Sequence, residues 1–316
     1  MIIAAEMTRY LGFGREQAFG EPVSPSRFVD PLRIDVSCEK EPILRRSIAS
    51  RFPLDKAPGN VVVTGEVELE VEPETIGDLL LMLLGEIETS QPDSSNAPTV
   101  YEHVFTPCEI GETPPTYTLE IGSEASARRI ISTILESLKL ELAPGEYASA
   151  IASILGQREE SSSMLTPSLP ATRPWHSGDA SITINDAQAE LQALSLEINN
   201  NPSTDHHVIG SRYLTRHELG ELEITGSMDV KFSDRSHLDR FLNDEEASIK
   251  ITLTGDEIEA GYRNRLEIEL PRIVYSAWSC EISGSEQLVQ SIDFVAIKPS
   301  NSPILKITLT NQISGY

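Results

Sequence analysis

The chain has 316 residues and carries 25 lysines and arginines against 49 aspartates and glutamates, a formal net charge of −24. That length is enough for two ordinary domains or one large one. The charge excludes tight binding of nucleic-acid phosphates as the main function, because such binding depends on basic side chains. The three cysteines, Cys38, Cys108 and Cys280, lie far apart without zinc-type spacing, so we expect reduced thiols.

The N-terminal residues 1–30 are predicted to form a turn-rich arm. Its segment GFGREQAFG, residues 12–20, lacks both the GK[ST] ending of a phosphate-binding loop and the spacing of a dinucleotide fold. No basic region followed by an apolar core opens the chain, and the longest apolar run, Leu79 to Leu84, is too short to span a bilayer. We therefore expect a soluble protein with no membrane partner and no cofactor.

A strictly alternating strand is predicted over VTGEVELEVEP, residues 63–73. Val67, Leu69 and Val71 fall on one face, and the opposite face carries four glutamates, at positions 66, 68, 70 and 72. Like charges that oppose one another across a sheet are destabilising. A solvated sheet face is the simplest explanation of this ladder, and the alternative is a surface with an electrostatic role.

Two short helices and a hairpin follow from local signals. Pro73 and the acidic residues after it suit the first turn of a helix that Gly85 ends. A second helix is predicted after Ser233 or Asp234, either of which could be its N-cap. Residues 129–156 are predicted to form a β-hairpin with residues 143–145 at its tip, rather than a helix.

The chain also repeats itself. Adding 161 to the position of Thr64 gives Thr225, and each threonine precedes a glycine and an alternating strand of the same parity. With gaps, residues 32–37 resemble residues 194–199, and residues 118–122 resemble residues 265–269. We expect a first unit over residues 1–160 and a second over 161–316, joined by a Ser/Pro-rich linker over 157–178.

Motifs for chemistry are weak. His206, His207, His217 and His237 match no standard zinc spacing, so we expect no metal site. A run of evenly exposed glutamates lacks the contrast in environment that separates the pKa values of a catalytic pair. No nucleophile or metalloprotease motif is present, and an enzyme is not expected.

Several segments, in order, resemble the major tail tube proteins of long-tailed, siphovirus-type bacteriophages. The N-terminal segment resembles that family's pattern G-x-G-x-E-x-x-[FW]-G-x-x-V, here at Gly12, Gly14, Glu16, Phe19, Gly20 and Val23. In the second half the matching positions are the Asn-rich turn 199–201, the GSRY segment 210–213 and Thr225-Gly226. The last strand, ILKITLTNQI, is similar as well.

The resemblance implies a mainly β fold, a β-sandwich or barrel-like tube fold with a short flanking helix, whose inner sheets join into a β-barrel when a ring forms. Stacked rings would make the tail tube of the virion, assembled in the host cytoplasm, through which the genome passes without specific binding. The implied partners are further copies of the chain, the tape measure protein, the tail terminator and the distal tail proteins. With two units per chain and six per ring, we expect a trimer with pseudo-sixfold symmetry, and a hexamer is the alternative.

Two sets of residues follow as candidates. An acidic lumen would keep DNA mobile. The candidate lumen-facing residues are Asp35, Glu66, Glu68, Glu70, Glu197, Asp229 and Glu267. The long loops 38–59 and 199–220 are expected to reach the next ring. Their candidate stacking residues are Arg45, Arg46, Arg51, Phe52, His206, His207, Arg212 and Tyr213.

Other functions remain open at this stage. A tail terminator or baseplate ring protein would form single rings without polymerising. A non-viral adhesive or carbohydrate-binding β-sandwich would be a monomer with an exposed aromatic cluster. The chain has only two tryptophans, Trp175 and Trp278, which offers little for a sugar platform.

Overall fold

A computed structural model describes residues 9–123, 126–232, 234–281 and 288–316. Antiparallel strands dominate it, which confirms the predicted mainly β class. The first twelve strands are β1 Tyr10–Arg15, β2 Arg27–Val29, β3 Arg33–Lys40, β4 Ile43–Arg45, β5 Asp55–Ala57, β6 Val61–Glu70, β7 Gly85–Ser90, β8 Tyr101–Pro107, β9 Tyr117–Ser123, β10 Ser126–Leu142, β11 Ser149–Gly156 and β12 Arg158–Ser162. The other eight are β13 Ala180–Ile184, β14 Ala187–Gln188, β15 Leu191–Asn199, β16 Glu223–Lys231, β17 Ala247–Glu259, β18 Tyr262–Glu281, β19 Val289–Ala296 and β20 Lys306–Asn311.

Eight of these strands form one continuous antiparallel sheet. Their spatial order is β3, β6, β11, β10, β15, β16, β19, β18. The first four come from the first half of the chain and the last four from the second half. The two halves meet where β10 pairs with β15, with Lys139 opposite Glu197.

The two longest strands, β10 and β18, also continue into flanking sheets. The first part of β10 pairs with β9 and β12, and β9 pairs with β1. The first part of β18 pairs with β17 and β20, and β20 pairs with β8 from the first half of the chain. One hydrophobic core joins the layers and includes Val67 and Leu69 of the eight-stranded sheet with Ile251 and Ile307 of the flanking strands.

The first predicted helix is confirmed as α1, Ile76–Leu84, and every one of its nine residues is buried. Gly85 ends it with φ 87°, in the left-handed region that glycine adopts without a steric penalty. Its buried Asp78 carboxylate is held by the Arg27 guanidinium at 2.5 Å. Burial raises the pKa of Asp78, and the hydrogen bonds from Arg27 oppose that shift.

The second predicted helix is confirmed as α2, Ser236–Leu242, which lies on the surface with no buried residue. Asp234 accepts a hydrogen bond from the Ser236 N–H at 2.8 Å, although the helix N-cap itself is Arg235. The alternative N-cap, Ser233, lies outside the described residues. No helix in the described part of the chain is long and apolar enough to cross a membrane.

The predicted hairpin is also confirmed, since β10 and β11 pair on either side of a turn near Pro144. Its register shifts between Leu135 and Ser137. The pair of β18 and β19 shifts in the same way between Tyr275 and Ala277, and residues 282–287, between these two strands, lie outside the described part. Each of these hairpins therefore carries a one-residue irregularity, which bends a strand locally and increases its twist.

The Thr-Gly pairs mark close contacts between strands. A Cβ on Gly65 would lie 2.3 Å from the Asp35 carbonyl oxygen, and one on Gly226 would lie 2.6 Å from that of Ser195. Both distances are far below van der Waals contact, so only glycine fits at either place. The repeated glycine thus has a physical cause in the approach of β3 to β6 and of β15 to β16.

Glu16 fixes the N-terminal segment, in which the structure contains the strands β1 and β2. The Glu16 side chain is buried and accepts hydrogen bonds from the hydroxyls of Thr116 and Thr118 at 2.8 and 2.7 Å. Ser132 adds its N–H at 2.8 Å and its hydroxyl at 2.7 Å. A buried carboxylate needs such donors, because an unpaired one is costly.

Candidate functional site: an acidic sheet face with two open edges

Strand β6 alternates as the sequence predicts. Val67 and Leu69 are buried in the core, whereas Glu66 is exposed and Glu68 and Glu70 are half-buried on the opposite face. This second face of the eight-stranded sheet is called the acidic face below.

Cross-strand pairs extend the acidic face over all eight strands. Asp35 lies opposite Glu66, and Glu66 lies opposite Ser153 on its other side. Further along the sheet, Asp229 lies opposite Ser291, whose hydroxyl donates a hydrogen bond to it at 2.5 Å. Six of the seven predicted acidic residues, from both halves of the chain, therefore lie on one surface.

The acidic face has a clear surplus of negative charge. Register places on it the carboxylates of Asp35, Glu39, Glu66, Glu68, Glu70, Glu141, Glu197, Glu223, Asp229 and Asp293 and the basic groups of Arg33, Lys139 and Lys231. Ten carboxylates against three basic groups leave a net charge of −7 on the described side chains of this face. Arg33 pairs with Asp35 at 3.0 Å, but both side chains are more than half exposed, so the pair contributes little.

The remaining candidate, Glu267, lies elsewhere. It belongs to the first part of β18, opposite Thr252 and Thr308 in a flanking sheet. Lys250 pairs with it at 2.7 Å, and Arg265 forms a second ion pair. Glu267 is therefore partly neutralised and separate from the acidic face.

Sequence reasoning missed four carboxylates of this face, Glu39, Glu141, Glu223 and Asp293. Glu70 lies opposite Ser149 of β11, and Ser149 lies opposite Glu141 of β10. Glu141 therefore shares the face that alternation assigns to Glu66 and Glu70. The signal was present in the alternation of β10 and β19, but using it required the strand pairings.

Glu72, the fourth carboxylate of the predicted ladder, has a different environment from the other three. It follows the end of β6, and one of its oxygens is buried without a hydrogen-bond partner in the described structure. Burial, reinforced by the charges of Glu70, Glu74 and Asp30, raises the pKa of Glu72 to about 7.

The eight-stranded sheet ends in two open edges. In the described part of the chain β3 pairs only with β6, and residues 274–281 of β18 pair only with β19. Ser37 on the first edge and Ser279 on the second are exposed. Open edges expose unpaired backbone N–H and C=O groups, which favours pairing with another chain.

The long loop of the second half, residues 200–222, lies against the first half of the same chain. The Arg212 carbonyl oxygen accepts a hydrogen bond from the Val61 N–H at 2.8 Å, and the Arg212 Nε donates to the Gly59 carbonyl oxygen at 3.0 Å. The His207 Nε2 lies 3.3 Å from the Val61 carbonyl oxygen. Leu214 is fully buried in a cluster with Ile134 and Leu155.

This loop also contacts the N-terminal segment. The His217 Nε2 lies 2.6 Å from the Ser132 carbonyl oxygen, and the Phe19 ring meets the His217 ring edge-on at 5.3 Å. Burial lowers the pKa of His217. Of the other candidates in this loop, His206 is half-buried and Tyr213 is 37% exposed.

The long loop of the first half, residues 41–60, is largely exposed by contrast, apart from the contact of Gly59 with Arg212. It contains the isolated β4–β5 hairpin, and Arg45, Arg46 and Arg51 are all exposed. Its apolar side chains are exposed too, with Phe52 at 71% and Leu54 at 54%.

No group of three or more potential metal ligands occurs among the residues that the structure describes. Trp175 is fully buried, and its backbone N–H donates to the Val71 carbonyl oxygen at 3.0 Å, so the predicted linker is partly docked on the first half.

Comparison with known proteins identifies the family of this chain. A family model described as phage tail tube protein matches residues 8–296, which span every strand from β1 to β19. A search of curated proteins gave no match. Because the family model covers most of the chain, the chain belongs to the phage tail tube protein family and is a structural component of a virion tail.

Proposed function

We propose that this chain is the major tail tube subunit of a long-tailed, siphovirus-type bacteriophage, and that its copies pair edge to edge into rings. The observation that carries the proposal is the eight-stranded sheet, in which strands of the two halves already join and an open edge remains at each end. Stacked rings would form the tube, assembled in the host cytoplasm, with the acidic face lining the channel.

An internal duplication supports this arrangement. Adding 140 to the bounds of β11 gives those of β19, and the same shift relates the irregular positions in β10 and β18. The carbonyl groups that crowd Gly65 and Gly226 belong to Asp35 and Ser195, which are 160 apart. Two units with the same register and the same local irregularity are hard to explain without a common origin.

Register also refines the gapped sequence matches. Residues 32–37 are expected to correspond to residues 192–197, two positions from the match with 194–199. Residues 265–269 belong to the first part of β18, which pairs with β17 and β20. The first part of β10 pairs with β9 and β12 in the same way. The counterpart of residues 265–269 is therefore in β10 rather than at residues 118–122. The proposed duplication therefore relates β3 to β15, β11 to β19 and β10 to β18.

The β10–β15 joint then serves as a template for the joint between copies. Within the chain, Lys139 of β10 lies opposite Glu197 of β15. Adding 140 to the position of Lys139 gives Ser279 of β18, and subtracting 160 from that of Glu197 gives Ser37 of β3. Ser279 of one copy is therefore expected to lie opposite Ser37 of the next. Antiparallel pairing of β18 with β3 would remove both open edges, because ring closure leaves no edge.

Ring size follows from the number of units. Three copies of an eight-stranded sheet give 24 strands and six units, which is a trimer with pseudo-sixfold symmetry. A ring of six copies with twelve units is the alternative.

The acidic face suits a channel for DNA. Duplex DNA carries one charge per roughly 1.7 Å of its axis, and a basic wall would hold it. A negative wall repels DNA over a Debye length of about 8 Å at physiological salt and leaves it mobile. The proposed partners are further copies of the chain, the tape measure protein, the tail terminator and the distal tail proteins, with DNA passing through unbound.

The tips of the long loops are proposed to contact the next ring. Both loops leave the same end of the eight-stranded sheet, after β3 and β15. Ile48 in the first loop and Ile209 in the second are fully exposed. The candidate stacking residues lie in or beside these two segments.

A tail terminator or baseplate ring protein is the second candidate, since it would share the ring but would not polymerise. Membership of the tail tube family favours the tube. A sugar-binding module is disfavoured, because Trp175 is buried and Trp278 is only partly exposed.

The test is a disulfide between copies. Ser37→Cys and Ser279→Cys are introduced together after Cys38, Cys108 and Cys280 have been replaced by serine. Opposed strand residues have Cα atoms about 4.5–5.5 Å apart, within the range of a disulfide. Oxidation should produce covalent trimers as the largest closed species, and negative-stain microscopy should show rings and tubes.

The outcomes separate the alternatives. Ser37→Cys with Ala277→Cys, which shifts the register by two residues, is the matched control and should cross-link less. Covalent hexamers would indicate the larger ring, and single rings without tubes would indicate a terminator. Monomers without disulfide at assembly concentrations would refute the proposal.

A further inference from the structure

We infer that residues 50–54 of the first-half loop, which spans residues 41–60, dock laterally on the second half of the neighbouring copy in the same ring. The partner is a second copy of this chain, and the docking surface is the end of its sheet at Val274 and Val295. The inference rests on the proposed edge pairing of β18 with β3 and adds a specific contact to it.

The second-half loop provides the template within one chain. It crosses the β10–β15 joint and places Leu214 against Ile134 and Leu155, all three fully buried. Gln157 donates from its Nε2 to the Leu214 carbonyl oxygen at 2.9 Å. The backbone of Arg212 completes the contact at Val61. The loop therefore closes the end of the joint that its own strand, β15, forms.

The first-half loop contains the same turn. The Ser50 hydroxyl donates to the Phe52 carbonyl oxygen at 2.8 Å and accepts from the Phe52 N–H at 3.1 Å. Ser211 and Tyr213, which lie 161 residues later, make the same two bonds at 2.9 and 3.1 Å. The local conformation for docking is thus already present in the loop that has no contact of this kind.

Burial differs between the two loops although their turns agree. Leu214 is 0% exposed, whereas Leu54, next to the equivalent position Pro53, is 54% exposed. Large exposed apolar side chains grouped on one loop are typical of an interaction site. The first-half loop lacks a partner because β3, the strand before it, is at the open edge of the sheet.

The matching surface stands open on the second half. Adding 140 to the positions of Ile134 and Leu155 gives Val274 and Val295. Ile134 lies opposite Leu155, and Val274 lies opposite Val295. Both valines are only half-buried. The Gly59 carbonyl oxygen accepts a hydrogen bond from Arg212 at 3.0 Å in the template contact, and Gly220, 161 residues later, is its equivalent beside the open surface.

Charge is complementary across the proposed contact. Residues 41–60 contain four basic residues and two acidic ones. Beside the open surface, Glu221 and Glu223 are exposed. Opposite charges steer association and set its register more than they add affinity.

This contact would clamp one end of each joint between copies. Residues 50–54, which include Arg51 and Leu54, would be used within the ring. The tip, with Ile48, would remain available for the next ring. One loop would therefore serve both lateral closure and stacking, through different residues.

A second cysteine pair tests the lateral contact. Arg51→Cys is combined with Leu222→Cys in the background without native cysteines. Arg51 is equivalent to Arg212 and Leu222 to Val61, and within the chain the Val61 N–H donates a hydrogen bond to the Arg212 carbonyl oxygen at 2.8 Å. Ile48→Cys with Leu222→Cys is the matched control at the loop tip. We expect about tenfold more disulfide between chains from the first pair, because disulfides form only within a narrow range of Cα distances.

The outcomes distinguish this inference from the proposed function. If Ser37→Cys with Ser279→Cys cross-links rings but Arg51→Cys with Leu222→Cys does not exceed its control, the edge pairing stands and lateral docking is overturned. If neither pair cross-links, edge pairing fails and lateral docking fails with it. Cross-linking by both pairs supports both.

Discussion

Neutralising most of the charge of the acidic face with lysines should make the protein bind DNA. Replacement of Glu66, Glu68 and Glu70 by lysine changes the net charge of the described side chains on this face from −7 to −1, with seven carboxylates against six basic groups. In a ring of three copies the change introduces nine lysines. Val67 and Leu69 keep the core face unchanged, so the sheet should fold and assemble.

The expected signal is a salt-dependent affinity for duplex DNA. A protein that makes about 6–10 phosphate contacts loses roughly 10³–10⁵ in affinity between 50 and 200 mM salt. Assembled tubes can be incubated with fluorescent duplexes over that range, and bound DNA measured by sedimentation. Wild-type tubes should bind no DNA at either salt concentration.

A control variant separates location from net charge. Lysine at Glu86, Glu88 and Glu112, which are exposed residues outside the eight-stranded sheet, changes the total charge by the same amount. If the control binds DNA as well as the variant of the acidic face, or if neither binds, the face does not line the channel. Normal genome ejection by phage carrying the first variant would also contradict the reasoning.

Two further predictions concern stability. Arg27→Ala should lower the free energy of unfolding by about 3–5 kcal/mol in chemical denaturation, because it leaves the buried Asp78 carboxylate unpaired; the exposed control Arg33→Ala should cost about 0–1 kcal/mol, and equal losses would contradict this. The raised pKa of Glu72, about 7, means that its contribution to stability is present below pH 4.5 and lost as pH rises through 7. Glu72→Gln should therefore stabilise the subunit by roughly 1–2 kcal/mol at pH 8, discounted for partial exposure, and change little at pH 4. An equal effect at both pH values would refute the cause.

Much of the local structure was predictable because local physics determines it. Alternation between Val67 and Glu66 fixed both the strand and its faces, and Gly85 ended α1 where the sequence indicated. The β10–β11 hairpin was predicted despite helical propensity at its ends. The N-terminal segment was harder, because the role of Glu16 depends on donors that lie 100 residues or more along the chain.

The lumen-facing role of the candidate acidic residues stays a prediction. Six of them share one face of the sheet, because parity along a strand is a local property. Glu267 did not join them, since its strand β18 passes through two sheets and its first part faces different neighbours. No single-strand pattern records such a change of sheet.

By itself, the sequence determined the strand faces, the repeated Thr-Gly unit and the surplus of carboxylates, since each depends on residues close together in the chain. Only the tertiary structure decided that β10 pairs with β15, that β3 and β18 are left as edges, and that one long loop is docked while the other is largely exposed. Strand pairing between distant segments depends on which surfaces the whole chain can bury together. The order of the strands, and with it the assembly surface, therefore follows from the fold of the whole chain rather than from any one segment.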